Sequence, residues 1–449
     1  MQMVWLVLSV LLMASGAEAA CSGSGTSWSC TAGSTAADVR AAHNSATSGY
    51  TITLAVGSYP WGTGTVTLTK AGTLTGTGPD ADLVTQTNTT CNPGTQTCIT
   101  GSGVAIISVA PASDLSIRVT KLHITRNSGV PLNASACDGA AFEVDNGSAA
   151  FPLTLTRIDH NTTDGGGVAL CADGWIEGVF DHNRLEDCYA CLYVRESIAP
   201  DGLGTNSWTR MYTTFGSGGI ALAGSRHAVF FEDNTFVHTQ GAGGPGGPLE
   251  AEPYTDRGGV PVVRYNTWYA TGYGFFVPLG PHGDNGSTRG VPIDEQYNNV
   301  FHLNASCGGY MSQRGGSVLS HDNQLLGASC GTAAFDIIND GGGSGDTPMN
   351  TFVWNNSING VAQTSGFVTN SYGSPVVLNQ NYYLHAPQAS GGKCSYTGAP
   401  GPQANLTCTG SGANAYFGYT PYTYPHPLQS SQGSTDLTPP AAPTGLIVR

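Results

Sequence analysis

Charge is scarce in this sequence of 449 residues. Asp, Glu, Lys and Arg together make up 10% of the chain, and lysine occurs only at Lys70, Lys121 and Lys393. Acidic residues outnumber basic ones, so the formal net charge is −14 at pH 7. Nucleic acid binding requires a basic stripe that neutralises phosphates, so this composition argues against that class of protein. An acidic ligand would have to be held by a local cationic site, because the acidic surface gives it no long-range attraction.

Long hydrophobic runs are also missing. The apolar run at residues 4–13 is shorter than the roughly 20 residues that a membrane-spanning helix needs. The small residues Ala17, Ala19 and Ala20 follow it, which is typical of a secretory signal. We therefore predict a signal peptide at residues 1–20, secretion or cell-surface localisation, and no membrane association after cleavage. A lipoprotein attached through Cys21 is the alternative.

A second C-x-x-C motif is absent, so the single motif at Cys188 and Cys191 cannot complete a zinc tetrad, although a redox role stays open. Twelve cysteines, an even number in an exported chain, indicate disulfides. Proximity in sequence predicts four pairs: Cys21 with Cys30, Cys91 with Cys98, Cys307 with Cys330, and Cys394 with Cys408. The remaining cysteines, Cys137, Cys171, Cys188 and Cys191, allow three connectivities.

The sequence is instead rich in residues that suit short strands and tight turns. It contains 63 glycines and 25 prolines, and 40% of its residues are hydrophobic, which disfavours a helical protein. One helix is predicted near the N-terminus, where the capping residue Ser34 precedes a run of good helix formers up to Ala42. Such a helix can cover the open end of a repetitive β-structure.

Asparagine recurs after strand-like segments, and this is the main sign of a repeat. The intervals between the successive positions are 34, 22, 51, 32, 33, 24, 33 and 25 residues, as expected for one structural unit with loops of variable length. In stacked turns, each amide can donate to one neighbouring turn and accept from the other, so we predict a ladder rather than catalysis for these side chains. The positions are Asn127, Asn161, Asn183, Asn234, Asn266, Asn299, Asn323, Asn356 and Asn381.

This pattern resembles the asparagine ladder of right-handed parallel β-helix proteins, the pectate-lyase-like superfamily, over about residues 45–390. The resemblance implies an all-β solenoid with a short N-terminal capping helix. We accordingly divide the chain into a signal peptide (1–20), an N-terminal cap (21–45), the β-helix (46–390), a C-terminal cap region (391–430) and a Pro-rich, linker-like tail (431–449). We expect a monomer.

The densest cluster of charge lies in a loop expected to wall a groove. Its carboxylates Glu250, Glu252 and Asp256 could hold a hard cation such as Ca²⁺, and a solvated loop face is the alternative. Neighbouring residues in the same central region could contact a sugar through hydrogen bonds, charge or stacking. The residues predicted to bind substrate are Tyr254, Arg257, Trp268, Asp284 and Arg289.

The segments R-Y-N, H-G, E-x-Y-N-N and R-G-G resemble elements that some secreted bacterial β-helix proteins carry on successive coils. Parallel coils place equivalent residues in line, about 4.8 Å apart, so Arg264, Glu295 and Arg314 could form a strip. A polyuronate lyase needs a cation to neutralise the sugar carboxylate and a base to remove the adjacent proton. We predict His282 as that base, and Arg264 or Arg314 as the cation.

Family motifs limit the assignment. The chain has no R-x-P-x-x-R motif of pectate lyases and none of the N-T-D, D-D, G-H-G and R-I-K motifs of polygalacturonases. Three classes stay open: a secreted carbohydrate-active enzyme, a non-catalytic glycan-binding or adhesin module, and a structural surface or fibre protein. We favour a polysaccharide lyase over a glycoside hydrolase, with an acidic glycan as the partner.

Overall fold

The computed structural model describes residues 20–431 apart from several loops. The segments outside the description are 79–88, 127–136, 138, 147–150, 166, 189, 196–221, 240–253, 257, 271–278, 282–290, 292, 304–309, 328–333, 340–347, 349, 374, 380, 388–393, 397–405 and 409–418. Within the described residues the chain is a parallel β-helix, as the sequence predicted.

Each coil contributes one strand to each face of the solenoid, and the first face is sheet A. Its first two strands form an antiparallel hairpin, and all later neighbours are parallel. The strands are β1 (Cys21–Ser24), β2 (Ser27–Cys30), β3 (Tyr50–Leu54), β6 (Gly72–Thr75), β9 (Ile117–Thr120), β12 (Thr156–Asp159), β15 (Val179–Asp181), β18 (Val229–Glu232), β21 (Pro261–Arg264), β24 (Asp294–Tyr297), β27 (Val318–His321), β30 (Thr351–Trp354) and β34 (Tyr382–Tyr383).

Sheet B forms the second face. Its strands are β4 (Gly57–Gly62), β7 (Thr97–Gly101), β10 (His123–Arg126), β13 (Thr162–Asp164), β16 (Arg184–Glu186), β19 (Thr235–His238), β22 (Thr267–Ala270), β25 (Val300–Leu303), β28 (Gln324–Leu326), β31 (Ser357–Ile358) and β32 (Val361–Ala362). The last strand is antiparallel to its neighbour, so the chain folds back at this end of the sheet.

The third face comprises sheets C and D, joined by a single bridge between Leu279 and Met311. Sheet C contains β5 (Val66–Leu68), β8 (Ala105–Val109), β11 (Ala140–Asp145), β14 (Val168–Asp173), β17 (Ala190–Arg195), β20 (Tyr254–Asp256) and β23 (Gly280–Pro281). Sheet D contains β26 (Met311–Gln313), β29 (Phe335–Asn339) and β33 (Val368–Gly373), and a separate hairpin pairs β35 (Cys394–Tyr396) with β36 (Leu406–Cys408).

Helices are few, as expected. Helix α1 (Ala36–Ser45) starts at a capping box formed by Thr35 and Asp38, and it packs on β1, β2 and β5 at the N-terminal end of the solenoid. The predicted helix is therefore confirmed, with its cap at Thr35 instead of Ser34. A 3₁₀ turn (Ser365–Phe367) and a short helix α2 (Pro427–Ser431) follow later in the chain. No helix among the described residues is long and apolar enough to cross a membrane.

The asparagine ladder is confirmed for seven of the nine positions. Each side-chain amide from Asn161 to Asn323 donates to the Oδ1 of the next Asn at 3.0–3.2 Å, and Gln363 takes that place after Asn356. Asn127 lies outside the described residues. Asn381 does not belong to the ladder: it precedes its strand, and its side chain bonds Val377 and Pro348 instead.

The residue before each ladder Asn has a left-handed backbone conformation. His160, His182, Asp233 and Tyr265 have φ of 53–59°, and the same region holds at Asn298, Asp322 and Asn355. The turn therefore places the left-handed conformation on the residue before the Asn, and the Asn side chain stays in the buried amide column.

The disulfides settle the open connectivity. Cys21 pairs with Cys30 and Cys91 with Cys98, as predicted, while Cys137 pairs with Cys171 and Cys188 with Cys191. Cys394 and Cys408 are register partners in their hairpin, whereas Cys307 and Cys330 lie outside the described residues. Because disulfides persist in oxidising compartments, four of them fit an exported protein, and the bond at Cys21 leaves no free thiol there for a lipid.

A carboxyl group is enclosed in the solenoid. Asp294 on β24 is fully buried, and burial raises its pKa well above the usual range. In the unfolded chain this carboxyl ionises above about pH 4, so the folded state loses relative stability as the pH rises. We expect Asp294→Asn to stabilise the protein, by an amount that grows with about 1.4 kcal/mol per pH unit above pH 4 until the folded-state pKa is reached.

Chemical denaturation at pH 4, 5 and 6 measures this difference. Asp336→Asn is the matched control, because Asp336 is only partly buried at the outer surface of β29, where Thr369 donates to it. A pH-independent difference for Asp294→Asn would show that Asp294 is ionised in the folded state.

Candidate functional site

The structure brings together only part of the predicted site. Arg264 ends β21 and Glu295 lies on the adjacent strand β24, so both project from the outer face of sheet A. Arg314 follows β26 in sheet D, where its backbone N–H donates to Pro281. The expected strip of three charged residues is therefore not formed: Arg264 is the register partner of Tyr297, Glu295 is that of Val262, and Arg314 lies on another sheet.

Trp268 is placed in the interior. Its ring lies between Phe236, at 4.3 Å between centroids, and Phe301, at 4.6 Å, and the residue is 1% exposed. Side chains alternate along a strand, so this position of sheet B faces the core. A sugar outside the solenoid cannot stack on it, and the proposed role in substrate binding does not fit.

Several predicted residues lie outside the description. Tyr254 and Asp256 belong to β20 of sheet C, of which only the backbone is described. The others outside the described residues are Glu250, Glu252, Arg257, His282, Asp284 and Arg289. Among the described residues no group of three or more His, Cys, Asp or Glu side chains is arranged to hold a metal ion. The calcium site and the base His282 stay predictions.

A continuous row of polar and aromatic side chains runs along the outer face of sheet A, two positions before each ladder Asn. We call it the outer row, and its members are direct register partners on successive strands: Thr120, Asp159, Asp181, Glu232, Arg264, Tyr297, His321 and Trp354. The triplets D-H-N, E-D-N, R-Y-N and H-D-N in the sequence each encode an outer-row residue, a left-handed turn residue and a ladder Asn. This spacing was the signal from which the row could have been found.

Ion pairs connect the coils at the N-terminal part of the outer row. Arg118 donates to both oxygens of Asp159, at 2.7 and 2.5 Å, and Arg157 donates to both oxygens of Asp181, at 2.8 and 2.7 Å. Each arginine lies one coil before its carboxylate. Bidentate pairs of this kind fix the orientation of both partners.

Each of these aspartates also holds a histidine. The Nδ1 of His160 is 2.7 Å from Asp159 and the Nδ1 of His182 is 2.9 Å from Asp181, and the two rings stack at 4.9 Å. Both rings stay partly accessible, with 11% and 9% of the side chain exposed. The carboxylate at Nδ1 fixes the orientation of each ring.

The groups around His182 and Asp159 shift the pKa values of these two side chains. Burial lowers the pKa of His182, but the hydrogen bond and charge of Asp181, together with the charge of Asp233, outweigh it and raise the pKa to about 9. Burial disfavours the charge of Asp159, yet hydrogen bonds from Arg118 and His160 and the charge of Arg157 hold its pKa below the usual range. At neutral pH, His182 is therefore a cation supported by carboxylates.

The C-terminal part of the chain covers the outer row. We call residues 419–431 the strap; they lie along the outer face of sheet A, although we had assigned residues 391–430 to a cap region at the end of the solenoid. Under the strap, Arg264 is paired with Glu232 and also donates to the hydroxyl of Tyr297, so it is fully buried. Glu295 accepts hydrogen bonds from Gly224 N and the hydroxyl of Tyr419, at 2.8 and 2.9 Å.

The strap also closes a second hydrophobic cluster, outside the solenoid. Leu428 of the strap and Leu222 pack with apolar side chains of the second row on the outer face of sheet A, two positions before the outer row. These side chains are Val179, Phe230, Val262, Leu319 and Phe352. Sheet A is consequently buried on both faces from β12 to β27.

Comparison of the chain with protein-family models, with curated proteins and with solved structures finds no match. The fold and the site therefore define the class by themselves: a parallel β-helix with an asparagine ladder, disulfides, and a strap-covered row of polar side chains along one face.

Proposed function

We propose that the protein is an exported carbohydrate-active protein, with lyase chemistry on an acidic glycan as its first candidate activity. The observation that carries the proposal is the pair of stacked, carboxylate-held imidazoles, His160 and His182, at the partly accessible edge of the outer row. A β-helix alone would not support it, since one fold serves many functions.

In this proposal, His182 is the cation that neutralises the carboxylate of a uronate residue and so acidifies the proton on the adjacent carbon. His160 is the base that accepts this proton. The electron pair of the broken C–H bond forms a C=C bond as the glycosidic oxygen leaves from the next carbon, and this oxygen takes up a proton from solvent, to which His160 later releases its own. The products are an unsaturated sugar and a new reducing end, and no oxidant or water is consumed.

The test is incubation of the mature chain with polyuronates and neutral glycans, with and without a chelator, following ultraviolet absorbance and reducing ends. We expect His182→Gln to lower lyase turnover at least about 100-fold, because a positioned acid–base or charged group contributes that much or more. Turnover by the native chain should fall as the pH rises through 9, where His182 loses its proton.

His302→Gln serves as the matched control. His302 lies on sheet B against Tyr269, on another face of the solenoid, and should leave turnover unchanged. Equal losses in both variants would mean that the effect is structural. Reducing ends without absorbance would indicate hydrolysis, and loss of turnover in chelator would support the predicted calcium site.

A non-catalytic glycan-binding module is the second candidate, and one observation favours it. Arg264, predicted to grip the sugar acid, already bonds Glu232, Tyr297 and two carbonyl groups of the strap. A guanidinium that is satisfied in this way is not free for a substrate carboxylate. Saturable binding of a glycan without product would support this candidate over the lyase.

A further inference from the structure

The strap follows the axis of the solenoid, from its C-terminal coils back toward its N-terminal coils. Tyr419 lies over Glu295 and His321, and Tyr424 bonds Asp233 one coil before Arg264. Gln429, near the end of the strap, accepts from Arg157 on β12 at 3.1 Å. A single segment, which ends in helix α2, thus spans the outer row from β27 to β12.

The strap meets the outer face of sheet A and the turns that follow its strands with three kinds of chemical group. Hydroxyl groups donate to carboxylates, from Tyr419 to Glu295 at 2.9 Å and from Tyr424 to Asp233 at 2.7 Å. Backbone carbonyls accept from Arg264, at 2.5 and 2.7 Å. Flat apolar faces complete the contact, since the ring of Tyr424 stacks on Tyr265 at 3.6 Å between centroids.

A neutral sugar chain offers the same three groups: hydroxyl donors, oxygen acceptors, and the apolar C–H faces of its rings. The charge of the covered surface also favours a neutral ligand. Burial raises the pKa of Glu232 and of Glu295 to about 7, so this surface already disfavours negative charge. An acidic glycan would add more negative charge beside these groups and beside Asp233.

The strap contacts the solenoid without joining its sheets. Among the described residues, strands of sheet A pair only with one another, and the strap adds no strand to them. Its removal would break bonds to side chains and uncover Phe230, which packs against Tyr422 and His426. A ligand with apolar faces could cover the exposed ring in its place.

We infer that the strap is a displaceable self-ligand, which occupies the outer row of sheet A in the manner of an extended neutral glycan and competes with such a glycan for it. The inference rests on the proposed function in its glycan-binding form. It adds the class of ligand, the surface, and the segment of the chain that controls access.

The test weakens the strap and measures binding. The double variant Tyr419→Phe/Tyr424→Phe keeps both rings but removes the hydroxyl donors to Glu295 and Asp233. The apparent affinity of a site that is open only part of the time is reduced by that fraction. We expect the variant to bind at least one of cellohexaose, xylohexaose and mannohexaose at least about tenfold more tightly than the native chain, with faster hydrogen exchange in residues 419–431.

Tyr59→Phe is the matched control, because the hydroxyl of Tyr59 also makes two hydrogen bonds, to Cys30 O and Ala55 O, but at the other end of the solenoid. It should leave glycan affinity and strap exchange unchanged. If the double variant folds poorly, Gln429→Ala, which removes the side-chain bonds of Gln429 to Glu232 and Asp233, is a second version of the same test.

The outcomes of this test separate the self-ligand inference from the proposed function. Equal glycan binding by the native chain and both strap variants, with faster strap exchange in the variants, would overturn the self-ligand and leave the proposed function standing. Slow strap exchange in both variants would identify the strap as a fixed part of the fold. A gain in affinity for hexagalacturonate alone would overturn the neutral class, and no glycan binding by any chain would sink the proposed function as well.

Discussion

Asn266→Leu is expected to destabilise the β-helix by about 3–5 kcal/mol, because it removes the middle of a buried column of amides. Asn266 accepts from the backbone and side chain of Asn234, at 2.9 and 3.0 Å, and donates to Phe231 O and to Asn299. Leucine fits the volume but leaves these buried groups without partners, each of which costs about 1–3 kcal/mol. Urea denaturation, together with hydrogen exchange in β21 and β24, measures the loss.

Asn381→Leu is the control that the sequence itself supplies. Both asparagines belong to the same sequence pattern, but Asn381 is only partly buried and bonds the nearby backbone of Val377 and Pro348. We expect a loss of about 1 kcal/mol at this position, the ordinary contribution of a hydrogen bond. Equal losses at the two positions would mean that the column adds nothing beyond isolated hydrogen bonds.

These two positions show how far the sequence could determine the fold. The ladder was predictable because it depends on a local signal, a strand followed by Asn, repeated at intervals that fit one coil. The failure at Asn381 has a physical reason. There the Asn comes before β34 and not after a strand of sheet A, and the ladder has already ended at Gln363. A residue pattern gives the spacing of turns, but it does not show whether an Asn lies before a strand or after it.

The candidate site was less predictable, because its contacts join distant parts of the chain. Arg264 and Glu295 were expected in one row, since equivalent positions of parallel coils align. The register instead pairs Arg264 with Tyr297 and Glu295 with Val262, so the two residues share a face but not a row. The strap could not be foreseen from the same rule. Tyr419 is 124 residues from Glu295, and Gln429 is 272 residues from Arg157. No repeat in the sequence marks Tyr419 or Gln429. Their contacts become visible only when the strap lies along sheet A.

The histidine pair was less predictable than the ladder but more predictable than the strap. Its D-H-N triplets are visible in the sequence at residues 159–161 and 181–183, but their meaning depends on the register of the coils. The 22-residue interval between Asn161 and Asn183 puts the two triplets on adjacent coils, so that His160 and His182 stack. From the sequence, only the Asn of each triplet had a predicted role, in the ladder. Their position beside the ladder makes them part of the site.

The second large effect is expected at the ion pair beneath the strap. Arg264→Met keeps most of the length of the side chain but removes the cation that pairs with Glu232, which is fully buried. We expect a loss of about 3–5 kcal/mol at pH 8, the usual result of leaving one partner of a buried pair behind. Denaturation followed by tryptophan fluorescence and by strap hydrogen exchange would show whether the strap is released before the solenoid unfolds.

The pH dependence of this loss identifies its cause. Burial raises the pKa of Glu232 to about 7 even though Arg264 opposes the shift, so removing Arg264 raises it further. A carboxyl with a raised pKa in the folded state destabilises the protein only above its unfolded pKa, near 4.3. The loss in Arg264→Met should therefore be largest at pH 8 and shrink toward pH 5, where Glu232 is protonated in the folded protein.

The double variant Arg264→Met/Glu232→Gln completes the cycle. The amide oxygen of the introduced glutamine would still accept from the backbone N–H of His426, as Glu232 does at 3.0 Å. The glutamine side chain is neutral, so no unpaired charge stays buried when Arg264 is removed. We expect the double variant to regain more than half of the stability lost in Arg264→Met and to lose the pH dependence. Strictly additive effects of the two substitutions would show that strap contacts, and not the charge of Glu232, account for the burial of Arg264. In that event the ion pair would be a consequence of strap docking, and weakening the strap should expose both residues together.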